Sequence, residues 1–249
     1  MTDSHTIDLL TRRGFLIDKE DGCYYLSDNS HKEDVSYLRK ILTDYKLGFV
    51  DSNDQIIIYD DNAQTANKLK NLFLPVDRGT VGVGTCYQSR KWSYHVAKRL
   101  HSTKLPVIWL EANIAAYIKS LSAIGIYTSG CCDGNHPNCY KLSIDFDAPV
   151  YSEYHRCLWE HLLNTKFKLN WDNDYRSIYL EGCRQEQYDE LFRAARFIYH
   201  NRSAFIILRF DAASWMKKNT LKHMKYDEIK ERFLKAVTNN LASGRFFKQ

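Results

Sequence analysis

Between Gly125 and Cys139 the chain reads Gly-Ile-Tyr-Thr-Ser-Gly-Cys-Cys-Asp-Gly-Asn-His-Pro-Asn-Cys, which gathers three of its seven cysteines. Zinc takes thiolate and imidazole ligands, usually four in a tetrahedron. Cys131, Cys132, His136 and Cys139 are therefore a candidate ligand set, with Pro137 stiffening the loop that carries them. Adjacent cysteines on an extended chain point to opposite sides, so holding both on one ion requires a tight turn. Asp133 could stand in for one of them, and Cys86 could join from elsewhere. Two further chemistries fit the same residues. Cys131 or Cys132 could act as a thiolate nucleophile with His136 as base. Asp133, with Asp145 and Asp147, could hold a hard cation such as magnesium. Buried thiols without any chemistry are the plain alternative.

A second stretch is built for anions. From Gly79 to Leu110 there is no acidic residue, and the segment opens on Arg78-Gly79-Thr80-Val81-Gly82-Val83-Gly84-Thr85-Cys86. Glycines let main-chain N–H groups approach a phosphate, and the helix expected from about Ser89 adds its positive N-terminus. The spacing is neither a Walker loop nor a dinucleotide fingerprint, since Tyr87 stands where the third glycine belongs. Arg78, Arg90, Lys91, Lys98 and Arg99 are the candidate phosphate contacts, which position a nucleic acid without reading its sequence. Glu111 ends an expected buried strand, Val107–Leu110, and Asn113 is the expected cap of the next helix.

The elements that must position these residues come in a repeated order. Apolar periodicity predicts helix 6–13 ended by Gly14, strands 15–18 and 23–27 around the turn Lys19-Glu20-Asp21-Gly22, and helix 33–45. Strands 47–51 and 55–59 and helix 62–73 complete the unit, which Pro75 stops. The same order recurs as helix 113–124, strands 126–130 and 140–146, helix 151–164, strands 166–171 and 175–180, and helix 186–200. A shift of 111 places Gly14 on Gly125, and a shift of 120 places Leu38, Leu42, Ile58 and Tyr59 on Leu158, Leu162, Ile178 and Tyr179. The second copy thus gains residues in the interval that holds Cys131 to Cys139. The expected fold is α+β: tandem duplicated αββαββα units forming two pseudo-symmetric lobes, plus a C-terminal helical segment. The boundaries are 1–75 for the first lobe, 76–111 for the basic connector, 112–201 for the second lobe and 202–249 for the C-terminal segment. Within that last segment 203–217 is apolar without a decisive period, and 219–241 reads as an amphipathic helix.

This element order, over about residues 6–200, is similar to the topology of single-chain LAGLIDADG homing endonucleases. In that family an acidic residue followed by glycine ends the first helix of each unit, and the paired acids bind divalent metal at the DNA. Asp21-Gly22 and Asp133-Gly134 occupy corresponding places in the two copies, although the pattern puts both in hairpins and ends the helices at Gly14 and Gly125.

The bulk numbers set limits. With 249 residues, 44% of them hydrophobic, the chain can bury one large core or two small ones. A net charge of +5 is compatible with an anionic partner. No run reaches the length of a membrane span, and the polar N-terminus lacks the features of a signal peptide. A cytoplasmic protein with reduced cysteines and no membrane partner is expected. The functional expectation is a protein that interacts with nucleic acid or nucleotide, as a metal-dependent phosphodiester hydrolase in which Asp133 and His136 act and zinc or magnesium is bound. The alternative is a non-enzymatic nucleic-acid- or protein-binding module with a zinc-stabilised loop. A cysteine-dependent enzyme acting on a small molecule is the third.

Overall fold

The computed structural model describes residues 5–27, 30–52, 55–59, 67, 69, 107, 110–126, 128–134, 142–146, 149–163, 165, 167–171, 177–180, 184–203, 205, 230–232 and 234–235. Two units of the same design make up the fold. The first has helix α1 (His5–Arg12), strands β1 (Ile17–Glu20) and β2 (Cys23–Leu26), helix α2 (Lys32–Asp44), and strands β3 (Phe49–Ser52) and β4 (Gln55–Ile58). The second has helix α3 (Ala112–Ala123), strands β5 (Thr128–Cys132) and β6 (Leu142–Phe146), helix α4 (Pro149–His161), strands β7 (Leu169–Trp171) and β8 (Ser177–Leu180), and helix α5 (Arg184–His200). Each unit forms a four-stranded antiparallel sheet, in the order β1-β2-β4-β3 and β5-β6-β8-β7. The expected α+β class with two lobes is what the chain adopts.

The helix ends repeat as well as the sheets. Gly14 and Gly125 follow α1 and α3 with φ of 103° and 83°, a region that costs a glycine little. Across them Phe15 N bonds Leu10 O and Ile126 N bonds Leu121 O, closing both helices in the same way. After α2 and α4 the same bond runs from Leu47 N to Leu42 O and from Leu163 N to Leu158 O. Leu158 therefore answers to Leu42, one helical turn away from the match with Leu38 that the sequence shift suggests. Such a slip keeps the leucines on the buried face. In the first hairpin the turn is Asp21-Gly22, whereas the connection between β5 and β6 is far longer, 133–141.

Each unit has its own core. Leu10, Phe15, Leu38, Ile41, Leu42, Ile56 and Ile58 fill the first, and Ile114, Leu121, Ile144, Leu158, Ile178 and Ile198 the second. Helix α3 is buried at every position from Ile114 to Leu121, because it lies between α5 and the first unit. It meets α1 closely: a Cβ on Gly14 would stand 3.0 Å from Ala115 Cβ and 3.2 Å from Val107 Cγ1.

Val107 and Leu110 are buried, but Leu110 N bonds Val107 O in a turn, not the expected strand. Helix 62–73 is described only at Asn67 and Leu69, both helical, with Leu69 in the first core. Of helix 219–241 the described residues 230–232, 234 and 235 are helical, and Leu234 packs on the second core. Segment 206–217 lies outside the described residues. Among the described residues no helix is long and apolar enough to cross a membrane.

Candidate functional site

Strand β5 decides how the loaded stretch is presented. Cys131 pairs with Ile144 and Cys132 with Ser143, so the two thiols face opposite sides of the sheet. Cys131 is buried in the second core, and Cys132 is half-buried on the outer side, its Sγ accepting from Gly134 N at 3.3 Å. The tight turn that would bring both thiols to one ion is absent from this strand. His136 and Cys139 lie outside the described residues, and so does Asp147. Among the described residues no three His, Cys, Asp or Glu side chains converge as a metal site.

Asp133 is buried where β5 ends, against the start of α3 and the side of α5. Its carboxylate accepts from Asn113 Nδ2 at 2.9 Å, and its carbonyl accepts from the Tyr188 hydroxyl at 2.8 Å. Its main-chain N–H donates to the Glu111 carboxylate. The structure thus joins Asp133 to Glu111 and ties both to α3. Asn113 is not the helix cap: Glu111 holds that position, without a side-chain capping bond, and Asn113 spends its amide on Asp133. Asp145 lies on β6 beside Gly130, two residues along the strand from the partner of Cys132.

Asp21 and Gly22 form the exposed tip of the first hairpin, with φ of 49° and 82°. Neither Asp-Gly pair ends a helix. The residues that precede the helix-ending glycines are Arg13 and Ile124, so the carboxylates that the endonuclease resemblance implies there are not present. Arg78, Arg90, Lys91, Lys98 and Arg99 lie outside the described residues.

Two features escaped the sequence reading. The first is a buried charge cluster between the units. Lys119 Nζ lies 2.6 Å from Asp34 Oδ2, both side chains 2% exposed, and Val107 N donates to Asp34 Oδ1 at 2.6 Å. Arg13 is buried next to this pair with its guanidinium 5.9 Å from the Tyr37 ring. Burial lowers the pKa of Lys119, and Asp34 opposes that shift. A lysine directly after the apolar run Ile114–Ile118 was the available signal, because such a group needs an internal partner. The second is a groove of about 540 Å³ between β1 and the helices α1, α3 and α5. Nothing local in the sequence marks it, since its walls come from both units.

Set against known proteins, the chain matches no family model, no curated protein and no solved structure.

Proposed function

We propose that this chain is a nucleic-acid-binding protein that meets its partner through the outer faces of its two sheets and the basic connector. One observation carries the reading: the same four-stranded sheet occurs twice, with the helices of each unit behind it and a row of side chains across the front. In the first sheet the registers align Tyr25, Ile57 and Val50, with Tyr59 beyond them; Val50 is 47% and Tyr59 65% exposed. In the second sheet the corresponding row is Ser143, Tyr179 and Asn170, with Asp145 and Ser177 alongside. Tyrosine side chains supply stacking and hydrogen bonds, and a strand ribbon is narrow enough for a major groove. The connector, free of acidic residues from Gly79 to Leu110, supplies the charge that these faces lack. The likeness in topology to the LAGLIDADG endonucleases points the same way, but Arg13 and Ile124 at the helix ends favour binding without that family's cutting chemistry.

The test is fluorescence anisotropy with short duplex DNA over a salt series. Binding should weaken steeply with salt, and replacing Arg90, Lys91, Lys98 and Arg99 by alanine should flatten the slope by about 0.9 per lost phosphate contact. Tyr25→Ala with Tyr59→Ala should weaken binding about tenfold at fixed salt. Salt-independent binding, or none, ends the proposal.

A second reading rests on the junction of Asp133 with Glu111. Asp133 N–H bonds the Glu111 carboxylate, which brings a second carboxylate near that of Asp133; such a pair can hold magnesium for hydrolysis of a phosphodiester, with Asp133 as ligand or base. Under this reading Asp133→Asn abolishes magnesium-dependent cleavage and leaves binding intact. Cleavage that survives the substitution removes Asp133 from the role.

A further inference from the structure

The groove along β1 has the make-up of a peptide-binding site. Strand β1 is an edge strand, paired among the described residues with β2 alone. Its hairpin turns on two residues, so Glu20 and Cys23 must exchange both main-chain bonds, and bonded pairs alternate from there. Asp18 is then bonded to β2, and so is Leu16, whose carbonyl accepts from Ser27 N at 2.8 Å. Ile17 and Lys19 fall between. Their N–H and C=O groups point away from β2, towards the edge that pairs with no strand among the described residues.

The groove follows that edge. Its lining includes every residue from Gly14 to Glu20, and from the other strands only Tyr24. Thr11 of α1 and Ser120 of α3 lie across from it, with Arg196 and Tyr199 of α5 and Arg202 just beyond. Main-chain groups that face a partly enclosed groove need partners, and an extended chain supplies them in register. The counterpart edge in the second unit is spoiled for this purpose by a register shift between Thr128 and Gly130. In β1 the register is unbroken from Ile17 to Glu20.

Charge narrows the occupant. Three carboxylates line the groove (Asp8, Asp18, Glu20) against three cations (Lys19, Arg196, Arg202). Asp18 is held by Arg202 at 2.8 Å and Asp8 lies 3.5 Å from Arg196, while the Lys19 ammonium rests 5.0 Å from the Tyr24 ring centroid. A balanced lining offers a polyanion no net attraction, whereas a polypeptide strand needs none. We propose that this groove binds an extended segment of a partner protein, which adds to β1 as a fifth strand.

The experiment selects peptides from a phage-displayed random octapeptide library against the full chain, then measures resynthesised peptides by anisotropy and amide exchange. Bound peptides should slow exchange at the amides of Ile17 and Lys19. Lys19→Pro removes an outward N–H without touching the ladder to β2, a place where edge strands tolerate proline; it should weaken binding at least about tenfold with an unchanged thermal midpoint. That loss carries the proposal. Thr11→Trp fills the groove from α1 and provides the same readout if Lys19→Pro does not fold. Selection of no peptide, or undiminished binding to every variant that folds, overturns the proposal. So does loss on Thr11→Trp alone beside a folded Lys19→Pro that binds normally, because the groove would then take side chains without strand pairing. Protection of the same amides by duplex DNA in place of a peptide also overturns it.

Discussion

At the scale of single residues, His155 is a titratable group closed off from solvent. It is fully buried in α4, its Nε2 lies 2.6 Å from the Tyr117 hydroxyl, and its ring stacks on Trp159 at 5.8 Å. Burial drives its pKa down from 6.5 to about 3, so the folded protein holds it neutral. The unfolded chain takes up a proton there near pH 6.5, so it binds more protons than the folded chain between pH 6.5 and about 3. Stability is therefore whole above pH 6.5 and falls with acidity through that window, by up to about 1.4 kcal/mol per pH unit from this residue. His155→Gln keeps a partner for Tyr117 and removes the titration. Urea unfolding at pH 7 and pH 4.5 should show the variant losing less stability on acidification than the parent. Equal losses would mean that His155 is not the group responsible.

Among the elements, the crossing of α1 with α3 sets how the units meet, and two predictions test it. Gly14→Ala puts a Cβ 3.0 Å from Ala115 Cβ at a φ of 103°, so it should cost about 1–3 kcal/mol in strain and displaced packing. A denaturation midpoint equal to the parent's would show that α3 yields freely. Asp34→Leu takes the carboxylate away from the buried Lys119 ammonium, which should cost about 3–5 kcal/mol; Asp34→Leu with Lys119→Met should recover most of it. The same crossing shows what the sequence made legible. Gly14 and Gly125 announced both helix ends because their φ values leave few other residues possible, and alternation placed all eight of the described strands within a few residues. The interface did not show, since Asp34 and Lys119 are 85 positions apart: the apolar run before Lys119 signals that it needs an internal partner, but nothing local names Asp34, which reads as a solvated charge. Cys131 and Cys132 were legible as chemistry but not as geometry: only the register of β5 against β6 decides that they face apart. The one-turn slip of α2 against α4 was invisible for the opposite reason, as both alignments keep leucines on one face.

On the scale of the whole molecule, two cores raise the question of whether there are two folding units. The contacts between them argue for one. Asp34 belongs to the first unit, yet both donors on its carboxylate, Lys119 Nζ and Val107 N, come from beyond β4. Val107 also completes the first core. At the other end of the interface Arg12 reaches Asp189 at 2.9 Å and lies 4.2 Å from the Phe192 ring, and Arg202 reaches Asp18. The exposed ion pairs contribute little by themselves. A carboxylate stripped of its buried partners costs much more, and α1 alone would have to expose the face that it lays on α3. Residues 1–75 expressed alone should therefore give a poorly dispersed amide spectrum and no sharp thermal transition, while the full chain unfolds in one transition. A dispersed spectrum and cooperative melting of that fragment would mean that the first unit is a domain in its own right. The Asp34–Lys119 pair would then orient two finished domains instead of completing one fold.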